Sequence, residues 1–245
     1  MNGVKVGIIG IGNIGSAHLR MITGGNIPDM TVTAVCDIDT KKLNAARNTY
    51  PALRVFEDYT DLLKNSDTNA VIIAVPHPLH AKIAIEAFKY GKHVLVEKPL
   101  DITVSAAEDL CAAAEKSGKV FAIMFNQRTN GLFRKAREIV KSGELGETKR
   151  SVWIITNWYR TQSYYDSSKW RATWAGEGGG VLLNQAPHNL DIWQWICGSP
   201  SAVTAFCSVG KFHNIVVEDE ATIYAEYENG ATGVFITSTG DCPGT

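Results

Sequence analysis

The sequence predicts an α/β protein in which a doubly wound parallel sheet is followed by an α+β domain with an open, mostly antiparallel sheet. In the first 125 residues, short apolar runs alternate with helical patterns, and this alternation is typical of βαβ units. Beyond about residue 148, the strand-like runs are longer and are joined by hairpins. We therefore expect one domain over 1–125 and a second over 126–245.

The strands of the first domain are expected where the chain is apolar without alternation. Such runs suit parallel strands, because helices cover both faces of a parallel sheet. The helical pattern between the fourth and fifth runs ends at Gly91, as helices often do. Six segments have the strand pattern: 4–10, 31–36, 54–56, 70–75, 93–96 and 120–124.

The second domain is expected to combine longer strands with one helix over 184–198. Asn229-Gly230 is a hairpin signal between the last two strands, because both residues tolerate positive φ. No further element follows the last strand, so we expect a sheet that lacks members, as in a fragment of a longer protein. The strands are predicted at 148–159, 201–209, 220–230 and 231–239.

Charge and hydropathy exclude two classes of partner. The chain has 245 residues, of which 45% are apolar, and 24 Lys and Arg nearly balance 25 Asp and Glu. A formal charge of −1 gives no electrostatic basis for binding nucleic acid or an anionic membrane. No apolar run approaches the ~18 residues that a membrane-spanning helix needs.

Cysteine usage predicts neither a metal site nor a disulfide framework. The five cysteines are an odd number, are widely scattered and form no CxxC pair. A strand-like run begins by Val4 with no basic segment and apolar stretch before it, so we expect no signal peptide. Together these features favour the reducing cytoplasm.

The first strand ends in the glycine pattern "GIGNIG", which indicates a dinucleotide site. Gly10 allows the tight turn, Gly12 lets the backbone approach a pyrophosphate, and Gly15 lets helix and strand pack closely. Asn13 and Ile14 complete the loop at the helix N-terminus, where amide groups face the phosphates. The pattern alone is weak, but its place between a strand and a helix is that of a Rossmann domain.

Asp37 ends the second strand, 22 residues after Gly15. A carboxylate at this position accepts hydrogen bonds from the adenosine ribose and repels a 2′-phosphate, so NAD is favoured over NADP. The alternative role for Asp37 is to cap the next helix, but Asp39 and Thr40 are closer to that helix.

The fourth strand is followed by "AVPHPLH" at the edge of the sheet where ligands bind. We expect Pro76 to shape the turn and His80 to lie near the cofactor, whereas the role of His77 stays open. A lone histidine is more often structural or solvated than catalytic.

These motifs, in this order, resemble a known family. The glycine pattern, Asp37, "PHPLHA", "VEKPL" and "GEGGGVLLNQAPHNLD" together resemble the glucose–fructose oxidoreductase, inositol dehydrogenase and MocA (Gfo/Idh/MocA) family over essentially the whole chain. The most specific element is Glu-Lys-Pro at 97–99, combined with the glycine run and His188.

The resemblance implies an NAD(P)-dependent oxidoreductase of sugars, inositol-like polyols or related alcohols. It also implies that the open sheet carries the substrate and mediates a homo-oligomer, a dimer or a tetramer. Two other functions stay open: a glycoside hydrolase that uses NAD transiently, and a non-catalytic NAD-binding protein. The lysine and histidine of the family, at Lys98 and His188, argue against the last of these.

Lys98 is expected to take the proton of the alcohol when its hydride leaves. A lysine is ordinarily protonated at pH 7, but burial and a nearby positive charge both favour the neutral amine. We expect Glu97 to bind a ribose hydroxyl of the cofactor instead of pairing with Lys98, and Pro99 to fix the backbone, with a cis Lys-Pro bond as one option. The alternative is a surface ion pair.

His188 is expected to relay the proton from the predicted helix over 184–198. Asn184 and His188 are four residues apart and so share one face of that helix, and Asp191 follows three residues later, where it could fix the histidine tautomer. A common form of the family has Asp at the position of Asn184. An amide orients a hydroxyl but cannot take its proton, so Lys98 and His188 must suffice.

Further substrate contacts are expected from two loops. Asn126 and Arg128 follow the sixth strand, on the nicotinamide side. The aromatic-rich loop over 164–174 contributes Tyr164, Trp170 and Arg171, which could stack on a sugar ring and hydrogen-bond to it. The alternative is that these aromatic side chains pack under the loop.

Overall fold

The computed structural model describes residues 3–245. The chain divides into two compact units, one that ends at Met124 and one that spans Phe125–Thr245. The first unit contains six strands, β1 (Val4–Ile9), β2 (Met30–Cys36), β3 (Arg54–Phe56), β4 (Ala70–Ile73), β5 (His93–Val96) and β6 (Phe121–Ile123). Its helices are α1 (Asn13–Thr23), α2 (Thr40–Thr49), α3 (Tyr59–Asn65), α4 (His80–Lys89) and α5 (Val104–Ser117).

The six strands form one parallel sheet in the order β3-β2-β1-β4-β5-β6. The chain runs outward from β1 to β3, and returns through α3 to β4 on the other side of β1. This reversal creates the crevice between the carboxyl ends of β1 and β4, at which open α/β sheets bind their ligands. The predicted doubly wound sheet is confirmed.

Successive residues of each central strand supply two separate cores, one on each face of the sheet. In β4, Val71 and Ile73 pack with Leu62 of α3 in one cluster, whereas Ile72 packs with Leu19 of α1 in the other. This is why the strands read as continuously apolar, since neither face of the sheet meets water.

The second unit contains strands β7 (Arg150–Ile155), β8 (Ala202–Val209), β9 (Glu218–Glu226) and β10 (Thr232–Ser238). Its order is β7-β10-β9-β8, in which β10 pairs antiparallel with β9 and parallel with β7. The sheet is therefore mixed, and the predicted Asn229-Gly230 hairpin joins β9 to β10, with Gly230 at φ 80°. The helices are α6 (Gly131–Ser142), α7 (Gln162–Asp166) and α8 (Pro187–Cys197).

One face of this second sheet packs on α8. Phe235 of β10 is fully buried against Trp193, with ring centroids 5.5 Å apart, and the Trp193 indole donates to Ser151 Oγ at 3.0 Å. Gly233 lies directly below the indole, where a Cβ would come within 2.5 Å of a ring carbon. The helix and sheet are thus fitted around one tryptophan.

The opposite face of the second sheet is apolar and partly exposed. Val152, Val234 and Tyr224 lie side by side across β7, β10 and β9, and the next row contains Ile154 and Ile236. Val152, Ile154 and Tyr224 expose more than a third of their surface, and Phe206 of β8 exposes 75%. We name this surface, made of Val152, Ile154, Phe206, Tyr224, Val234 and Ile236, the open sheet face.

Element boundaries need correction in three places, and the first is the strand predicted over 148–159, which spans only Arg150–Ile155. The helix predicted over 184–198 begins at Pro187. Asn184 therefore lies in the preceding turn, where its backbone N–H donates to Gly180 O at 2.9 Å. Proline favours the first turn of a helix, which explains the later start. The strand predicted over 220–230 begins at Glu218 and ends at Glu226.

No helix in the part of the chain that the structure describes is long and apolar enough to cross a membrane.

We expect the core of the first unit to depend on Leu62. This side chain is fully buried below the sheet, so Leu62→Ala should lower the free energy of unfolding by about 2–5 kcal/mol. Leu132→Ala removes the same atoms from an 80% exposed position of α6 and should change it by no more than about 0.5 kcal/mol. Urea unfolding, monitored by circular dichroism, measures the free energy of unfolding of both variants. Equal decreases in the two variants would contradict the assignment.

Candidate active site

The turn after β1 contains three glycines, and the space around each of them is different. Gly10 has φ 87°, and a Cβ there would lie 2.5 Å from Ala74 O on the neighbouring strand end. A Cβ on Gly15 would lie 1.8 Å from Gly10 O, so α1 can pack on β1 only through glycine. Gly12 differs, because its Cβ would meet nothing within 4 Å. The protein itself therefore does not require glycine at position 12.

The N-terminus of α1 fits a phosphate group. No side chain caps this helix at Gly12, and its first intrahelical bond runs from Ser16 N to Gly12 O at 2.9 Å. The amides of Asn13, Ile14 and Gly15 thus begin the helix with the partial positive charge that attracts an anion. The open space at Gly12 and this uncapped end fit the pyrophosphate of a dinucleotide.

Asp37 lies beside the glycine turn at the carboxyl end of β2. Its carboxylate accepts from Ile11 N and from Asp39 N, both at 2.9 Å, and Lys42 Nζ approaches it at 3.5 Å. Asp39 caps α2 by accepting from Lys41 N, as expected, so Asp37 does not serve as the helix cap. These bonds fix the carboxylate at the edge of the cofactor crevice.

The Glu97-Lys98-Pro99 segment follows β5, and its Lys98–Pro99 peptide bond is cis. Glu97 Oε1 accepts a hydrogen bond from His18 Nε2 of α1 at 2.8 Å, and both side chains are mostly buried. This contact joins the strand end to the helix that begins at the glycine turn. The proposed ribose contact of Glu97 stays a prediction.

His80 holds the same segment from the other side. Its Nδ1 lies 2.6 Å from Pro99 O and its Nε2 lies 2.8 Å from Val75 O, and the ring is 1% exposed. Burial lowers the pKa of His80 from its usual value, so the neutral ring is favoured, and a neutral imidazole can donate to only one of these carbonyl groups. His80 is thus a bridge between the ends of β4 and β5, with Pro76 at the start of the intervening 3-10 turn. Its predicted contact with the cofactor stays a prediction.

A buried carboxylate that the sequence analysis did not single out organises the candidate substrate residues of the second unit. Glu177 is 1% exposed, and its Oε2 accepts from Ala172 N at 2.7 Å. Asn184 Nδ2 donates to Glu177 Oε1, and Arg171 Nη1 lies 3.6 Å from the same oxygen. Glu177 thereby brings Arg171 and Asn184 together from two different turns.

Tyr164, from the aromatic-rich loop over 164–174, belongs to the same cluster. Tyr164 OH accepts from Arg171 Nη1 at 2.6 Å and from Asn184 Nδ2 at 3.5 Å. The Arg171 guanidinium lies over the rings of Tyr164 and Trp170, at 4.3 and 5.1 Å from their centroids. The structure therefore brings together four of the residues predicted to bind substrate: Tyr164, Trp170, Arg171 and Asn184.

The turn that carries Asn184 is held by a second buried carboxylate. Glu218 accepts from Gly180 N at 2.9 Å and from Leu182 N at 3.1 Å. A Cβ on Gly180 would lie 1.8 Å from Glu218 O, so the glycine run lets this turn lie directly on β9. His188 follows on the first turn of α8, with its ring 6.0 Å from that of Phe125 in an edge-to-face contact.

Both oxygens of Asp191 accept hydrogen bonds from an arginine, and its predicted role of fixing the His188 tautomer stays a prediction. Arg128 donates to both of its oxygens, from Nε at 2.8 Å and from Nη2 at 2.5 Å. The bond to Asp191 raises the pKa of Arg128 above its usual value. Arg128 thus ties the 3-10 turn Asn126–Thr129 to α8, and its predicted contact with substrate, like that of Asn126, stays a prediction.

Three residues of the site were missed because their sequence signals are weak. Glu177 stands next to the glycine run, and an acidic residue at that place is the one signal that could have found it. His18 and Glu218 have none, since their partners are 79 and 38 residues away in the chain. The described residues contain no group of His, Cys, Asp or Glu that could hold a metal ion.

Comparisons with known proteins agree over both units. Residues 4–125 match the family model described as "Oxidoreductase family, NAD-binding Rossmann fold", and residues 133–244 match the GFO/IDH/MocA C-terminal domain. The oxidoreductase YrbE of Bacillus subtilis, itself uncharacterized, is 29% identical over 96% of this chain and 67% of its own length. Inositol 2-dehydrogenase of Salmonella typhimurium is 36% identical over 59% of this chain, which corresponds to 43% of the relative.

Two solved structures resemble the chain over its whole length. The WlbA dehydrogenase of Chromobacterium violaceum, in complex with NADH and UDP-GlcNAcA, has a TM-score of 0.92 at 28% identity, covering 100% of this chain and 69% of that one. GenD2 from gentamicin A biosynthesis, in complex with NAD, has a TM-score of 0.85 at 26% identity, covering 100% and 68%. The chain thus spans between less than half and about two thirds of the relatives named here.

We expect Gly12→Ala to separate cofactor binding from folding. A methyl group at position 12 meets no protein atom within 4 Å, and the φ of −68° suits alanine, so the thermal unfolding temperature should stay unchanged. The same methyl group would occupy the space that the pyrophosphate needs, so NAD affinity should fall at least about tenfold. Gly131→Ala, at the similarly open start of α6, is the matched control. Unchanged NAD affinity in Gly12→Ala, measured by titration calorimetry, would show that the phosphates bind elsewhere.

Proposed function

The chain belongs to the GFO/IDH/MocA oxidoreductase family, and its first unit is the NAD-binding Rossmann domain of that family. From this premise we propose that the protein is an NAD-dependent oxidoreductase that transfers a hydride between the nicotinamide and a secondary alcohol of a sugar, an inositol-like polyol or a sugar derivative. The inositol 2-dehydrogenase and WlbA relatives support this substrate class. The observation that carries the proposal is the fixed Glu97-Lys98-Pro99 segment at the ligand edge of a dinucleotide-binding sheet.

Each group of the first unit has a task in this proposal. The glycine turn and the N-terminus of α1 hold the pyrophosphate, and Asp37 accepts from the adenosine ribose, which favours NAD over NADP. When bound, NAD supplies the hydride acceptor. Lys98 removes the proton of the reacting hydroxyl, and the His80 bridge to Pro99 O keeps the backbone beside that amine in place.

The second unit is proposed to hold the substrate. His188 relays the hydroxyl proton, and Asn184 orients a hydroxyl through its side-chain amide, which is itself fixed by Glu177. Tyr164, Trp170 and Arg171 form the wall of the substrate site, with a ring face and a guanidinium for stacking and hydrogen bonding. Asn126 and Arg128 complete the proposed substrate residues.

We also propose that the protein forms a homo-oligomer through the open sheet face. This surface carries two rows of apolar side chains that cross three or four strands, an arrangement that suits a second copy of the same face. The proposed compartment is the cytoplasm, in which the five cysteines, all unpaired, stay reduced.

Lys98→Met tests the proposed base. The change keeps most of the side-chain volume but removes the amine, so the turnover number should fall at least about 100-fold while NAD affinity changes by less than about twofold. NADH absorbance measures turnover on a panel of sugars and polyols, and titration calorimetry measures NAD affinity. Lys89→Met, at an exposed position of α4, is the control. A Lys98→Met enzyme that keeps half of its rate would remove this lysine from the mechanism.

Ile154→Asp tests the proposed interface. Burying an unpaired carboxylate in the middle of the open sheet face should cost more free energy than the apolar contacts of the interface supply. The oligomer should therefore dissociate to monomers at micromolar concentration. Light scattering after size exclusion measures the mass of the particle. Leu145→Asp places the same charge at a 71% exposed position outside the sheet and should leave that mass unchanged. A monomeric wild type, or an Ile154→Asp variant with the mass of the wild type, would reject this interface.

A further inference from the structure

We infer that Arg160, together with Arg171, forms a binding site for an anionic group of the substrate, a carboxylate or a phosphate. The inference rests on the proposed function and narrows it, because the substrate is then an acidic or phosphorylated sugar and not a neutral polyol. Arg160 follows β7 in the loop before α7, and neither the sequence motifs nor the cluster around Glu177 includes it.

The backbone of Arg160 is held on both sides. Its N–H donates to Thr239 O at 2.9 Å, and its carbonyl accepts from His213 Nε2 at 2.8 Å. His213 is itself fixed, because its Nδ1 lies 3.1 Å from the fully buried carboxylate of Asp219. The point at which the Arg160 side chain leaves the backbone is therefore fixed.

The guanidinium of Arg160 is also placed, by two aromatic rings. It lies 5.3 Å from the centroid of Trp158 and 4.9 Å from that of Tyr164. Its Nη1 donates to Tyr159 O at 3.1 Å, whereas its Nε is buried without a hydrogen-bond partner. Aromatic contacts of this kind orient the planar group. Because Nε is buried, the end of the guanidinium that carries Nη1 and Nη2 is the part that a ligand could reach.

No carboxylate neutralises Arg160 anywhere in residues 3–245. Arg171, which lies over the same Tyr164 ring at 4.3 Å, has Glu177 at 3.6 Å. The carboxylate of Asp219, which is linked to Arg160 through His213, accepts hydrogen bonds from the amides of 211–213 and lies 3.1 Å from the His213 ring. Arg171 therefore has a carboxylate partner, whereas Arg160 has none among the described residues, and its positive charge lies beside two aromatic rings without an ion pair.

An oriented guanidinium with no ion-pair partner among residues 3–245 is suited to a carboxylate or to phosphate oxygens, which its Nη1 and Nη2 groups can bind through two hydrogen bonds. The substrate is the natural source of that anion. Tyr164, the ring shared by both arginines, hydrogen-bonds to Asn184, and Asn184 is four residues before His188. The anionic group would thus be held by the wall that also carries the proposed hydroxyl contacts.

The test compares three sugars that differ in charge: D-glucose, D-glucuronate and D-glucose 6-phosphate. Titration calorimetry on the NADH-loaded protein measures their affinities, and NADH absorbance in the presence of NAD measures their oxidation. We expect at least one of the two anions to bind at least tenfold more tightly than glucose, and the tighter one identifies carboxylate or phosphate as the group recognised.

Variants separate a binding role from a structural one. Arg160→Gln should abolish the preference for the anion over glucose, whereas Arg160→Lys should keep a weakened preference because the charge remains. Arg150→Gln removes one exposed positive charge from β7 and should change nothing. Circular dichroism confirms that each variant is folded, and the lysine variant serves as the test if the glutamine variant is not.

Equal affinities for glucose and both anions, or equal effects of Arg160→Gln and Arg150→Gln, would overturn the inference. The proposed function fails separately. If an anion binds selectively but no NADH is formed from any of the three sugars, the anion site stands and the dehydrogenase is rejected. Oxidation of all three sugars with equal kcat/KM would support the dehydrogenase and reject the anion site.

Discussion

The bridge made by His80 is the contact on which the candidate site of the first unit depends. Two parallel strands, β4 and β5, end side by side, and their carbonyl groups at Val75 and Pro99 both face the same buried imidazole. The His18–Glu97 contact holds the same segment from α1. Lys98 lies between these two anchored residues, so its backbone has little freedom, and a proposed base needs such a fixed position because proton transfer requires close contact.

Buried carboxylates have the corresponding task in the second unit. Glu177, Glu218 and Asp219 are almost wholly buried, and each accepts hydrogen bonds from backbone amides of a neighbouring turn. Loops carry most functional residues but have no regular backbone bonding of their own. Here three acidic side chains replace that bonding, which gives the turns around Asn184, Arg171 and Arg160 defined positions. Arg171 has one of these carboxylates, Glu177, as its ion-pair partner, whereas Arg160 has none of the three.

Much of the fold was predictable because its signals are local. The apolar runs placed every strand of the first unit to within about two residues, and Asn229-Gly230 marked the last hairpin. The same logic failed where a local pattern could be read in two ways. Asn184 has helical spacing to His188 but lies in a turn, because Pro187 begins the helix. Asp191 has the spacing to reach His188, but no local pattern shows that a guanidinium 63 residues away binds its carboxylate.

The sequence by itself determined the glycine turn, the strand ends and the order of the motifs, because these depend on backbone conformation and on hydrophobic periodicity within a few residues. Only the tertiary structure decided which polar side chains meet. The pairs His18–Glu97, Asn184–Glu177 and Arg128–Asp191 form between elements that the chain brings together by folding. A charged side chain has no periodic signal for its partner, since the energy of the contact depends on distance and burial, and both of these exist only in the folded protein.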